Sequence, residues 1–592
     1  MNNWKLILTN STTTIVLIGI VSLFLIFRLS WKNNYQTITS DGIGYYSYLP
    51  YTFLNNTIDK QKPDKRFFNE INGKGVNKYY LGTAVAMYPF FELGCLFENK
   101  AKPITGFEAP YQRAISFAAL FYLLGGLLFL RGLLRKLEFE ELHISIALLL
   151  IFFGTNLLAY SVLFPSMSHI YSFFFISGFL FFVKKYPDNQ GITSFLWGMF
   201  FLGMIILIRP LNGIVIFVVP FLIGSKNDCF NLLKSISKPV NLFPGIIILA
   251  SVLFIQSYFW YLQCGEWIVW SYSGEGFYFA KPYFREFLFS FRKGAFIYTP
   301  ILLLSIFGII TVFRRNKFQG WSILVFVLLL FYLLSSWWNW YYGPSFGQRP
   351  LVEFYPVFAI LIAYLLKSIS QFKVKIVLGI FSVFFVFLNL IQTYQYHKGI
   401  ISWWDMNWSK YSYTFLKTNE SYRDCLGGNN DILPYKPQID TVFNQTFNPV
   451  SKQDNLEIGK TVWSPWDKKE VIDYSEKEFN FKVTLPVNKS FISKRGIYLI
   501  VNLNRKQLVS SNINSALFVI EISDSTGNNY HYGTFPVNEI PPTNIDKWIP
   551  QEYSIEIKEI RSSTDIIKIY IWNKEKQSFW IDGVEIKILA ID

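Results

Sequence analysis

Apolar stretches of about membrane-crossing length recur from residue 12 to residue 395, separated by short polar or basic loops. They predict helices near residues 12–29, 112–130, 144–163, 166–183, 195–208, 212–224, 242–262, 297–313, 320–337, 351–366 and 374–395. The pair 195–208 and 212–224 is divided by Arg209-Pro210-Leu211-Asn212-Gly213, where proline and glycine break a helix. Beyond Tyr394 the period changes. From about Asn430 short runs alternate between polar and apolar residues, as in Phe479–Leu485 and Glu552–Ile557. Gly496–Leu503, Ala516–Ser523, Ile566–Trp572 and Phe579–Leu589 are further strand candidates. The pattern predicts a polytopic α-helical membrane protein with a C-terminal β-sandwich. The expected boundaries are a membrane part at 1–400 with a long first outer loop at 30–111, a linker at 401–439, and a sandwich at 440–592.

Loop charge sets the expected orientation. With the N-terminus inside, the cytoplasmic loops hold fourteen Lys and Arg, three in 131–136, two in 184–185, and three each in 226–238, 314–317 and 367–375. The short outer loops hold six: Arg209, Lys281, Arg285, Arg292, Lys293 and Arg349. The stretch Tyr79–Phe97 is apolar enough to tempt a crossing, but a crossing there would invert this balance, and Pro89 and Glu92 stand near its middle. It is expected to lie on or dip into the outer face. The eleven spans then place the C-terminal domain outside, in the plasma (inner) membrane setting of a multi-pass protein.

Composition supports this picture. Hydrophobic residues make up 52% and aromatic residues 19% of 592 residues, too apolar for one soluble domain. The net charge of +15 invites a nucleic-acid partner, but its concentration in cytoplasmic loops is a topology signal, so no nucleic-acid partner is expected. Four cysteines follow no metal-binding spacing; Cys95–Cys264 could pair on topology alone. Arg28, Trp31 and Lys32 follow the first apolar run where a cleavage site would need small residues, so that run reads as an uncleaved anchor.

Ionisable groups near membrane depth are costly and so are functional candidates. Asp41 leads, in Thr39-Ser40-Asp41-Gly42-Ile43-Gly44-Tyr45-Tyr46, just beyond the first span. The plainer reading makes it the N-cap of the helix that follows. His169 sits at the outer turn between two spans, where it is either a ligand-facing or a hydrogen-bonded structural histidine. Arg209 stands at the break between two half-spans, lining a cavity or snorkelling to headgroups. Arg349 precedes Pro350 at a helix start, where a guanidinium fork and free N–H groups suit a phosphate, and Glu353 at i+4 is placed to orient it. The alternative is an aromatic belt with a structural ion pair. The outer loop Gln263–Ile297 mixes carboxylates, aromatics and cations, Lys281 among them.

The layout resembles the C-type (GT-C) glycosyltransferases, the protein O-mannosyltransferases and lipid A aminoarabinose transferases being relatives of this kind. The resemblance rests on an acid after the first span, a long first outer loop with surface helices, many spans and a C-terminal outer domain, and covers roughly residues 1–400. Asp41 matches the position of the family's catalytic acid. Lys78-Tyr79-Tyr80-Leu81 resembles the Lys-Pro-Pro-type element late in the first loop. The resemblance implies a polyprenyl-phosphate-linked sugar as donor. It also implies a glycan, lipid or protein acceptor on the outer side, with membrane lipids around the donor tail. On that reading Asp41 is the base, while His169, Arg209, Arg349, Glu353, Lys78, Tyr79 and Lys281 bind substrate or phosphate. One departure matters: Gly42 stands where relatives often carry a second acid, which leaves a divalent metal and the acceptor class open. The outer sandwich resembles carbohydrate-binding modules in size and position. Two other classes stay open. A lipid-linked glycan transporter or flippase would prefer repeated halves and mid-membrane charges, which the sequence lacks. A glycan-binding receptor without catalysis would need only the sandwich.

Overall fold

The computed structural model describes residues 10–591 except 34, 65, 99–103, 190, 434, 436–438, 448–454, 488, 493–495, 543–544, 559 and the side chains of 188–189. The chain forms two compact units, Met1–Thr393 and Tyr394–Asp592.

Helical segments occupy all eleven predicted stretches of the first unit. Among the described residues, six helices are long and apolar enough to cross a membrane: Ser11–Lys32, Ala109–Lys136, Pro239–Cys264, Lys317–Ser335, Arg349–Ser368 and Phe372–His397. Glu141–Phe153, Ile192–Ile208 and Pro210–Ile223 are shorter apolar helices. Burial sorts them. The apolar window of Arg349–Ser368 is 83% buried, so that helix is central, whereas those of Pro239–Cys264 and Phe372–His397 are 17% buried and present Phe243, Ile247, Ile380 and Val383 outward. Close helix approach uses small residues. Gly125, Gly126 and Gly132 of Ala109–Lys136 lie under Phe174, Phe173 and Phe181 of Ser168–Asn189, where an added Cβ would come within 2.7–2.8 Å of a ring.

The stretch 30–111, expected to be the first outer loop, is structured where it is described. It contains a helix at Asp41–Tyr46, a two-stranded antiparallel hairpin (Phe68–Ile71 with Lys74–Asn77) and a helix at Gly82–Leu96. The hairpin is not among the sequence expectations. It closes on Asn72-Gly73, both at positive φ (52° and 74°), the conformation that a two-residue turn joining twisted strands requires. Gly82–Leu96 is too short to count among the six spans and carries Pro89 inside it. All four cysteines are free, so Cys95 and Cys264 are not bridged.

In the second unit, all six predicted strands are present, and others join them into two sheets. The five-stranded sheet runs Asn529–Pro536, Ala516–Ser523, Ile566–Asn573, Phe481–Pro486, Leu456–Ile458. The seven-stranded one is built around Gly496–Gln507, paired antiparallel with Trp548–Ile557 on one side and Phe579–Ile591 on the other. Alternate residues of both sheets, including Val483, Phe518 and Ile569 from one and Leu499, Tyr553 and Ile586 from the other, form a single apolar cluster. The segment 401–439, expected to be a linker, carries a helix at Trp408–Thr414 and a buried Lys410–Asp405 ion pair of 2.9 Å. It also contributes Asn429–Asn430 as a strand beside Trp548–Ile557.

Candidate active site

Asp41 is held in place by its backbone before its side chain does anything. Ser40 has φ 53° and ψ −136°, a region that residues with a Cβ avoid and that costs about 1–3 kcal/mol. The side chains that hold the segment before Ser40 are polar, Ser166 buried and Gln112 half-buried. Gln112 Oε1 accepts from the N–H groups of Thr37 (2.9 Å) and Ile38 (2.8 Å), and the Ser166 hydroxyl donates to Thr37 O (2.7 Å). On the other side of Asp41, Gly42 packs against Ser166 so closely that an added Cβ would fall 2.7 Å from the Ser166 Cβ. Gly44 lies under the Tyr79 ring in the same way, and its carbonyl accepts from Asn77 Nδ2 at 2.8 Å. Ser40, not Asp41, occupies the N-cap position, and no side-chain cap hydrogen bond forms. The capping role considered from the sequence is therefore not the role the carboxylate takes.

That carboxylate forms an ion pair with Arg349 Nη2 at 2.6 Å and accepts from the Tyr79 hydroxyl. Lys78 adds positive potential beside it and reaches Glu275 Oε1 at 3.4 Å. The Lys78–Leu81 segment is pinned from the helix Pro239–Cys264. Gln263 Oε1 accepts from Asn77 N (2.8 Å) and Gln256 Oε1 from Leu81 N (2.7 Å), while the Tyr48 hydroxyl donates to Tyr79 O (2.8 Å). A second ion pair stands nearby. Glu353, fully buried, accepts from Arg209 Nη1 at 3.1 Å and contacts His169 Nδ1 at 2.9 Å through the same oxygen, Oε1. Arg209 also donates to the Tyr45 hydroxyl, and Tyr45 packs on Tyr79 with centroids 4.6 Å apart. Two carboxylates and two guanidinium groups thus meet at one end of the helix array, joined by a tyrosine pair.

The electrostatics of Asp41 follow from this. Burial opposes its ionisation, but Arg349 and Lys78, with the Tyr79 hydrogen bond, outweigh burial and hold its pKa at about 2. Burial and the adjacent Asp41 both push the Tyr79 phenol well above its ordinary value, so it stays a donor.

Of the residues singled out from the sequence, the structure brings Asp41, Lys78, Tyr79, His169, Arg209, Arg349 and Glu353 together. Lys281 is exposed in the outer loop and forms no ion pair with the cluster among the described residues. The i+4 pairing of Glu353 with Arg349 is replaced: residues 349–354 form a 3-10 turn, and Glu353 points to Arg209 and His169. The helix start also offers less than expected, because Leu351 N donates to Gln348 O at 3.1 Å. The guanidinium is the principal donor. Tyr45, Tyr272 and Glu275 were not singled out individually. Tyr45 lies in the Asp41 motif, whereas Tyr272 reaches the site only because its ring packs edge-on against Tyr79 (6.2 Å). Nothing in its local sequence marks it.

A divalent metal does not fit these residues in the arrangement the structure shows, with Arg349 on Asp41. Asp41 is already engaged by Arg349 and Tyr79, and Ser166 fills the space a second acid at position 42 would need. The Glu353 oxygen facing His169 is shared with Arg209. Among the described residues no group of three His, Cys, Asp or Glu is arranged for a metal ion.

No protein-family model and no curated protein matches the chain. Solved structures do. The apo oligosaccharyltransferase of Archaeoglobus fulgidus is 14% identical, with 69% of this chain and 60% of that one covered and a TM-score of 0.39. The oligosaccharyltransferase AglB from the same organism, in complex with an inhibitory peptide and a dolichol-phosphate, is 16% identical over 65% of this chain and 55% of that one, with a TM-score of 0.37. The arabinosyltransferase EmbB of Mycobacterium smegmatis is 10% identical over 98% of this chain and 64% of that one, with a TM-score of 0.34. The chain spans 55–64% of the length of these structures. All are sugar transferases by name, the class the sequence resemblance implied. No residue role is carried over from them, and the functional reading rests on the site itself.

Proposed function

We propose that this chain is an integral-membrane glycosyltransferase that moves a sugar from a polyprenyl-phosphate donor to an extracytoplasmic glycan, lipid or protein acceptor. The observation that carries the reading is the pairing of one partly open carboxylate, Asp41, with Arg349 and Lys78, beside a second guanidinium at Arg209. Glycosyl transfer from a lipid phosphate asks for these two things. Asp41 takes the proton of the acceptor hydroxyl as its oxygen bonds to the anomeric carbon. The bond from that carbon to the phosphate oxygen breaks, and the departing phosphate monoester keeps the electron pair. Arg349 and Arg209 stabilise that charge. Apolar helix faces such as that of Pro239–Cys264 offer a surface for the donor tail. On this reading the N-terminus is inside and the second unit outside, where its two sheets, read as a sandwich, hold glycan or acceptor.

The test is turnover by the purified protein with a panel of polyprenyl-phosphate sugars and an extracytoplasmic acceptor extract. Wild-type protein is expected to transfer sugar. Asp41→Asn is expected to keep its fold and lose about 10²–10⁴-fold in rate, the usual size of general-base assistance. Transfer by Asp41→Asn at the wild-type rate would remove the carboxylate from the chemistry.

A further inference from the structure

Asp41 and Arg349 cannot both do their proposed work while they hold one another. A carboxylate with a guanidinium at 2.6 Å is a poor proton acceptor, and a guanidinium spent on a carboxylate is a poor phosphate ligand. We propose, resting on the reading of the site given above, that Arg349 exchanges partners. It caps Asp41 while the site is empty and transfers to the phosphate when the donor arrives, so that the base is uncovered only in the donor-loaded site.

Three features of the cluster support this assignment. The first is the unequal satisfaction of the two arginines. Arg209 is fixed from several sides, by Glu353 at 3.1 Å and by the Tyr45 hydroxyl, and Glu353 is itself fully buried and in contact with His169. Arg349 is buried to 7% exposure, yet among the described residues its Nε finds no hydrogen-bond acceptor and its Nη1 meets the Met167 thioether at 3.9 Å. A buried donor without an acceptor is costly, and a phosphate with three acceptor oxygens is the chemistry that would relieve it.

The second feature is which partner can move. Asp41 is locked by the strained Ser40, by the Gln112 and Ser166 hydrogen bonds, and by the tight seats of Gly42 and Gly44. Arg349 has a long side chain and follows Gly347 at φ 57°. The cation is the part that can swing while the carboxylate stays. The third is access. Each pair has one open side chain, Asp41 at 22% exposure and Arg209 at 20%, while the side chains of Arg349 and Glu353 are 9% and 0% exposed. Arg209 can meet an entering phosphate as it stands, whereas Arg349 becomes available only by leaving Asp41. Once Arg349 has moved, Asp41 keeps its burial but loses the largest influence that depresses its pKa, and its proton affinity rises when a base is needed. Acceptor deprotonation is thereby tied to donor occupancy. Tyr79 and Lys78 remain beside Asp41 in both states and keep it oriented.

The distinguishing measurement is binding, not turnover. Farnesyl phosphate is titrated into the purified full chain in nanodiscs, with farnesol and inorganic phosphate as separate arms. If Arg349 is shared, the carboxylate competes with the phosphate, and Asp41→Asn should bind farnesyl phosphate about tenfold more tightly than wild type, the scale of a lost charge-assisted partner. Arg349→Ala should lose most of the binding, and Arg349→Lys should retain part of it without the bidentate fork. Binding by inorganic phosphate with the same Asp41→Asn gain would assign the exchange to any phosphate; a gain confined to farnesyl phosphate assigns it to the lipid-linked form. Unchanged or weaker binding by a well-folded Asp41→Asn protein overturns the exchange, as does an equal gain with farnesol. The glycosyltransferase reading fails separately. Sugar transfer without the affinity gain would sink only the exchange. The affinity gain in a protein that transfers no sugar from any donor would sink only the transferase.

Discussion

At the scale of single residues, the site depends as much on what is missing as on what is present. Gly42 has no room for a side chain, because Ser166 occupies the place. Gly42→Ala should lower the thermal stability of the purified protein by about 1–3 kcal/mol, the ordinary cost of overpacking a tight contact. Ser166→Gly in the same chain should recover much of that loss even though the Ser166–Thr37 hydrogen bond goes with it; absence of any recovery in thermal melts would locate the clash elsewhere. The same contact explains why one acid, and not two, follows the first span. Asp41 makes a second residue-scale prediction. Its folded pKa of about 2 lies below the ordinary carboxyl value, so its ionised form stabilises the fold at neutral pH. That contribution is complete above the unfolded value near 4 and is lost as pH falls through about 2. Between those limits the melting temperature of wild type in detergent should fall more than that of Asp41→Asn, which has no proton to take up. Parallel curves for the two proteins would mean that the ion pair adds nothing to stability.

At the scale of elements, the stretch between the first apolar helix and Ala109–Lys136 is a positioning device. Its hairpin and its helix Gly82–Leu96 carry no catalytic group, but the chain between them is Lys78–Leu81, fixed by Gln256 and Gln263 of a long apolar helix. Polar side chains on that helix are otherwise hard to explain, since such groups are expensive in lipid. In the second unit the segment before residue 440 is part of the fold. Asn429–Asn430 pairs with Tyr553–Ser554, and Ile439–Phe447 with 584–591. A soluble fragment covering 394–592 should therefore fold, with strand-rich circular dichroism and a cooperative melt. A fragment starting at 448 should be less stable, because it exposes the edge of Phe579–Ile591. Equal melting temperatures for the two would show that the preceding segment is dispensable.

At the scale of the whole molecule, the reading requires both the first outer loop and the second unit to face outward. Lys60 and Lys574 are exposed, one in each region. Lys60→Cys and Lys574→Cys, each in a background with the four native cysteines replaced, should react with an impermeant maleimide on intact cells. Labelling of either site only after permeabilisation would reverse the assigned orientation, and with it the side of the membrane on which the acceptor is met.

The pattern along the chain was enough to locate the apolar helices and the principal strands, because a membrane helix and an alternating strand are each specified by near neighbours in sequence. Asp41, Arg209 and Arg349 were legible for a related reason: charges beside apolar runs stand out. Asn72-Gly73 also carried the signal of its hairpin locally. The partners of those charges were not legible. Glu353 looked like the i+4 mate of Arg349, and a 3-10 turn with a long-range arginine changed that. Tyr272 enters the site from a loop some 190 residues downstream of Tyr79, the ring it packs on. The strain at Ser40 stands beside contacts that Gln112, on the helix Ala109–Lys136, and Ser166, in the turn before Ser168–Asn189, make with residues 37 and 38. Local sequence specifies elements, because their hydrogen bonds and apolar periods are short-range. The choice of which buried charge answers which is made by distant segments meeting in space, and only the tertiary structure contains it.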